Sequence, residues 1–146
     1  MKITKRYRST VQMNSGLKNL HLIFVLLFST MMFSSPSYAG WTAVSVSVDG
    51  DTIYLDFDRI KKNGGYVYSW RLTNYLEPDE WGDFSSLVYE KIDCKLSRVI
   101  RLSKNYYTQP DAKGKPSTID NKPDKDWAYA APRSVRETIL KNACSR

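Results

Sequence analysis

Imidazole is missing from most of this chain. The single histidine, His21, falls within the first 39 residues, and none follows. Without it the later residues cannot assemble a Ser-His-Asp or Cys-His nucleophile. They also lack the commonest acid/base near neutral pH and the commonest metal ligand. Three groups remain that could do chemistry. Asp49, Asp51, Asp56 and Asp58 crowd one short stretch. A hydrolase would need two of these carboxylates facing one cleft, and calcium would need a longer series of oxygen ligands. Turn and edge roles account for them more simply, so no catalytic and no metal-binding residue is assigned. Lys95, Arg98, Arg101 and Lys104 form a basic run with no acid between them. Point charges and guanidinium forks of this kind suit a sulfated glycan or an acidic protein segment. Alternation along a strand would place Lys95 and Arg101 on one face and Arg98 and Lys104 on the other. The competing reading is a solvated edge strand whose charges discourage aggregation. The third group is the cysteine pair, Cys94 and Cys144.

How the cysteines are read depends on compartment, and the N-terminus addresses that. Lys2, Lys5, Arg6, Arg8 and Lys18 precede an apolar run from Leu22 to Phe33. Ser34, Ser35 and Pro36 interrupt it, and Ser37-Tyr38-Ala39 sets small residues ahead of Gly40. That is the order of a secretory signal peptide, 1–39, with cleavage between Ala39 and Gly40. Met13 serves equally well as its start. The run is shorter than the roughly 20 apolar residues of a spanning helix, so no transmembrane segment is expected after cleavage. In an oxidising compartment an even cysteine count reads as a disulfide, and two cysteines permit one intramolecular bridge. Two buried reduced thiols are the alternative.

The charge of +7 largely belongs to the leader. Five of the 22 Lys and Arg lie there with no acid, leaving 17 against 15, or +2, over residues 40–146. This gives no support to a nucleic-acid partner. A chain of this size fits one domain.

Its elements read mainly as strands. Val44, Val46 and Val48 alternate with serines, Asp49-Gly50-Asp51 marks a turn, and Ile53, Leu55 and Phe57 alternate after it, which predicts a hairpin. Asn63-Gly64-Gly65 predicts the next turn. In the strand from Tyr66 to Tyr75, Tyr66, Tyr68, Trp70 and Leu72 share one face, which is expected to meet the core. The aromatics Tyr66, Tyr68, Trp70, Tyr75 and Trp81 also offer a binding platform, with Tyr75 and Trp81 beside a loop. Phe84–Cys94 and Lys95–Tyr107 read as two long strands with room for bulges. Gln109–Asp126 reads as a long surface loop or crossover. Ser134-Val135-Arg136-Glu137 fits a capping box, with Glu137 reaching back to the Ser134 amide. Val135, Ile139 and Ala143, with Leu140 and Cys144 beside them, then give a helix one apolar face.

This ordered set resembles the surface-adhesin protein E family of Gram-negative bacteria. The residues that carry the likeness are Trp41, Val44, the run from Asp49 to Asp56, and Tyr66 to Leu72. Ser85-Ser86, Asp93-Cys94-Lys95 and the approach from Trp127 to Pro132 into a helix ending at Cys144 complete it. The resemblance implies an α+β fold: an antiparallel sheet of five or six strands with the C-terminal helix packed on its concave face. It also implies an exported, non-enzymatic binding protein without a cofactor, contacting host or matrix proteins or glycans, and a homodimer. The family's namesake is lipid-anchored through a cysteine at the cleavage site. Gly40 stands there in this chain, which points to a periplasmic or secreted protein rather than one held at the outer-membrane surface. A periplasmic structural, stress-related or inhibitory protein is the second reading.

Overall fold

A computed structural model describes residues 40–146. The expected leader, with Ala39 on one side of the cleavage point, lies outside the described residues. Turn residues cut the described stretch into strands. Gly50 closes β1 (Trp41–Val46) onto β2 (Thr52–Asp56). Gly64 and Gly65, at φ 59° and 80°, turn β3 (Lys61–Asn63) into β4 (Tyr66–Asn74), a path that residues with a Cβ take at a cost. β5 (Ser85–Asp93) and β6 (Arg98–Tyr107) form the longest hairpin. β7 (Thr118–Asp120) and β8 (Ala128–Tyr129) both pair with β6, and α1 (Val135–Cys144) ends the fold. All the pairings are antiparallel. Six strands run in the order β1-β2-β4-β5-β6-β7, with β3 added on β4 and β8 on β6. The expected sheet with one helix on a face is the architecture observed.

The core lies on a single face of the sheet. Ile53 and Leu55 of β2, Val67 of β4 and Ile92 of β5 pack against Ile139, Leu140 and Ala143 of α1. This corrects the predicted orientation of β4. Its Val67 side, not its Tyr66 side, meets the helix, and Tyr66, Tyr68 and Trp70 stay half-buried on the opposite face. Aliphatic side chains fit the narrow space under a helix, whereas three consecutive large rings would hold it off the sheet. Leu72 shares the aromatic face and is buried there. Near it, Asn74 and Ser85 bind the Pro110–Ala112 turn, through Asn74 to the Asp111 amide at 2.8 Å and Ser85 to the Ala112 amide at 3.0 Å. The predicted valine alternation in β1 also breaks. A bulge between Ala43 and Ser45 turns Val44 to the core and leaves Val46 and Val48 exposed.

A ten-residue helix is marginal by itself in water. Burial of Ile139 and Leu140 contributes about 1.5–3 kcal/mol each, and the Cys94–Cys144 disulfide ties its last turn to the end of β5. Ser134 caps its start by accepting from the Glu137 amide at 3.1 Å. The reciprocal half of the predicted box is shifted by one residue. The Ser134 amide is taken by the Ala131 carbonyl, so Glu137 accepts from the Arg133 amide instead, at 2.6 Å.

At the other end of the described chain, Gly40 has φ +86°, and a Cβ there would fall 2.6 Å from Asp56 Oδ1. That carboxylate has little freedom to move. It accepts from the amides of Asp58 and Arg59, each at 3.1 Å, and from the Arg59 guanidinium.

Two stability changes follow. Replacing Cys94 and Cys144 together by Ala should lower unfolding free energy by up to about 4 kcal/mol, the chain-entropy value for a loop of this length, as read by urea denaturation. Gly40→Ala should cost roughly 1–3 kcal/mol, because the added Cβ meets the crowded carboxylate. An unchanged urea midpoint would contradict that account of residue 40.

Candidate functional site: an aromatic and cationic sheet face

The face of the sheet away from α1 carries a run of rings and cations. Trp70 of β4 stacks on Tyr89 of β5 with centroids 4.7 Å apart, and Tyr68 stacks on the same Tyr89 at 6.2 Å. Strand pairing puts them there, since Trp70 and Tyr89 are direct partners in register. Arg59, on the short 3-10 turn after β2, lies over Trp41 at 5.3 Å and Trp70 at 5.4 Å. Further along, Tyr66 stacks on Trp127 at 5.9 Å. Lys91 sits 3.8 Å above Tyr66, and Arg98 lies 4.5 Å from the Trp127 ring. The negative π faces of Trp41, Trp70, Tyr66 and Trp127 thus each meet a positive group, an arrangement worth about 0.5–1 kcal/mol where water still reaches it.

Carboxylates orient two of these cations. Asp56, buried at the end of β2, holds Arg59. Asp93 holds Arg98 at 3.1 Å. Asp93 is held below the usual carboxylate range: burial pushes it upward, but the Leu96 amide and the Arg98 guanidinium outweigh that. Lys91 makes no ion pair among the described residues and faces only rings.

The predicted basic run splits between locations. Lys95 is exposed in the β5–β6 turn. Arg98 joins the aromatic face. Arg101 and Lys104 both turn to the helix-covered face and line a cavity there. The expected pairing of Lys95 with Arg101 and of Arg98 with Lys104 is therefore incorrect. A bulge is responsible: Tyr89 pairs with Ser103 and Glu90 with Arg101, leaving Leu102 unmatched and reversing the alternation. The edge-strand reading of this segment fails too, because β7 and β8 cover the far side of β6. Arg101 is gripped by Asp124 at 2.6 Å and Asp120 at 2.6 Å, which raise its already high pKa further.

Of the expected aromatic platform, Tyr66, Tyr68 and Trp70 contribute. Trp81 stands 73% exposed in the β4–β5 loop, outside the stack. Asp56 and Asp58 do not form a pair of facing strand carboxylates, since β2 stops at Asp56 and Asp56 caps the turn. Asp51 accepts from the Leu76 amide at 3.1 Å. Among the described residues no three His, Cys, Asp or Glu side chains gather in a metal-holding group. No helix among them is long and apolar enough to cross a membrane. Sequence reasoning missed Trp41, Arg59, Tyr89, Lys91 and Trp127. The Tyr89/Lys91 alternation was a visible signal, whereas Trp41 and Trp127 are isolated residues brought in by tertiary folding.

Comparison with known proteins gives a consistent family assignment. The model of the surface-adhesin protein E family matches residues 41–145. No curated protein matches the chain. Among solved structures, crystal form II of Haemophilus influenzae protein E superposes with a TM-score of 0.57 at 16% identity, covering 73% of this chain and 88% of that one. A second structure of Haemophilus influenzae protein E gives 0.56 at 16% identity, covering 73% and 85%. At that identity the likeness is one of fold.

The carboxylates predict how stability depends on acid. Asp120 lies below its ordinary 3.8, because the Lys122 amide and the Arg101 guanidinium bind its charged form. A depressed folded-state pKa contributes stability above the unfolded value and loses it as pH falls through the folded one. Stability should therefore decline between about pH 5 and pH 2, and Asp120→Asn should flatten that decline in urea midpoints measured across the range. An equally steep acid limb in the variant would remove Asp120 from the explanation.

Proposed function

Because this chain belongs to the surface-adhesin protein E family, we propose that it is an exported, non-enzymatic binding protein that contacts an extracellular protein or a sulfated glycan through the outer face of its sheet. The observation that carries this reading is the ladder of Trp41, Trp70, Tyr68, Tyr89, Tyr66 and Trp127, interleaved with Arg59, Lys91 and Arg98. Tryptophan, tyrosine and arginine dominate the energetic centres of protein interfaces. An acidic or sulfated partner would find Lys91 without a competing carboxylate, and Arg59 and Arg98 already fixed in orientation. A second copy of the chain competes for the same face and would form the homodimer.

Residues 1–39 act in this proposal as a signal peptide cut before Gly40, and 40–146 as the working domain. Gly40 offers no thiol for a lipid anchor, which favours a periplasmic or secreted product. The same feature supports the second reading, a periplasmic structural, stress-related or inhibitory protein without an adhesive role. Cell fractionation with determination of the N-terminus separates the two.

Surface plasmon resonance of the purified protein against extracellular matrix proteins and heparin tests the binding role. Saturable binding is expected with at least one of them. Lys91→Ala and Trp70→Ala should each weaken it about tenfold, a loss of about 1.4 kcal/mol, and the Lys91 contribution should shrink with salt. Absence of saturable binding to every probe would leave the periplasmic reading in its place.

A further inference from the structure

On the helix-covered side of the sheet, a cavity of about 600 Å³ opens between the first turn of α1 and strands β4 to β7. Its volume falls within the range of about 300–1,000 Å³ typical of small-molecule sites. It lies across the sheet from the aromatic ladder and uses none of its residues.

The charges around this cavity do not cancel one another locally. Arg101 is answered by Asp120 and Asp124. Glu90, on the floor, is not well answered. Its side chain is only 5% exposed, yet its contacts are Arg71 Nε at 3.4 Å and Ser69 Oγ at 3.5 Å. A buried carboxylate normally accepts charge-assisted bonds of about 2.7–2.9 Å, so Glu90 retains acceptor capacity towards the cavity. Two cations at the rim are left over. Lys104 contacts the Tyr106 ring at 4.2 Å and makes no ion pair among the described residues, its register partner Asp120 being turned to Arg101. Arg136 bonds the Tyr129 carbonyl at 3.2 Å and makes no ion pair among the described residues.

An occupant must therefore present an anion to Lys104 and Arg136 and hydrogen-bond donors to Glu90. Ammonium donors are disfavoured at the floor, because the Arg71 and Arg101 guanidiniums already line it. Neutral hydroxyls are not. Val99, Val135 and Ile139 supply apolar wall for the carbon skeleton. We infer that this cavity binds a sugar acid, a polyhydroxylated carboxylate of the uronate type, with its carboxylate between Lys104 and Arg136 and its hydroxyls on Glu90.

Isothermal titration calorimetry of the purified protein tests this with four probes: D-glucuronate, D-glucose, acetate and a heparin-derived tetrasaccharide. Glucuronate should bind saturably, and glucose and acetate should each bind at least about tenfold more weakly. Lys104→Ala and Arg136→Ala, both near solvent, should each lower glucuronate affinity about tenfold, as should Glu90→Gln. Lys115→Ala, which removes an equal charge from an exposed loop, should not change it. Competition between tetrasaccharide and glucuronate would identify a glycan chain end as the source of the sugar acid; glucuronate binding without competition would identify the free acid. Acetate or glucose binding as tightly as glucuronate would overturn the inference. So would absence of glucuronate binding, or affinity unchanged in both rim variants. Matrix-protein binding by the outer face is read with other probes and other variants, so either result can fail alone.

Discussion

A helix of ten residues has to be seated on a twisted sheet, and only small and medium aliphatic side chains leave room for it. Ile139, Leu140 and Ala143 fit against Ile53, Leu55, Val67 and Ile92, and the Cys94–Cys144 bridge fixes one end. Much of the remaining arrangement depends on this close approach. Bulky rings of β4 and β5 cannot share the space, so they collect on the opposite face. The helix is also too short to cover the whole inner face. Where its cover ends, polar and charged side chains replace aliphatic ones, and Ser69, Arg71 and Glu90 stand on the same strand faces as Val67 and Ile92. One packing constraint thus yields an aromatic outer surface and a polar inner recess.

The two surfaces treat charge differently. On the outer face, carboxylates at strand ends hold arginines over rings, so that each guanidinium meets an aromatic face while keeping its ion pair. On the inner face, Arg101 is fully occupied by Asp120 and Asp124, which draw the Thr118–Asp126 segment against β6 along with the backbone bond from the Asp124 amide to the Arg101 carbonyl at 2.9 Å. Arg101 therefore belongs to the architecture of the recess, whereas Lys104 and Arg136 retain charge to offer.

Local chemistry was legible in the sequence wherever a few adjacent residues decide the outcome. The Asp49-Gly50 and Asn63-Gly64-Gly65 turns, the serine cap and the apolar stripe of the helix are of this kind, and the structure contains each of them. The family resemblance added the ordering of those pieces. What failed was the choice between faces. A perfect two-residue period in β4 says that the rings lie together, yet does not say whether they lie under the helix, because that depends on the volume the helix leaves. The same limit applies to the cap of α1. Ser134 was visible, but the donor that reaches Glu137 depends on the Ala131–Ser134 turn consuming the serine amide. The aromatic ladder was half legible, since β4 supplies its contiguous members, while Trp41 and Trp127 arrive from distant parts of the chain.

Leu102 changes what one strand can serve. Before it, Arg98 faces outward; after it, Lys104 joins Arg101 on the inside. Strand length is thereby a carrier of meaning alongside residue identity. Deleting this one leucine would remove the kink yet keep Ser103 opposite Tyr89, so Lys104 and Tyr106 would stay inside. Pairing the leucine regularly with Tyr89 would do the opposite, turning Ser103 and Asn105 inward and Lys104 and Tyr106 outward without altering a single charge. Composition would be identical across such a slip, and the recess would be gone.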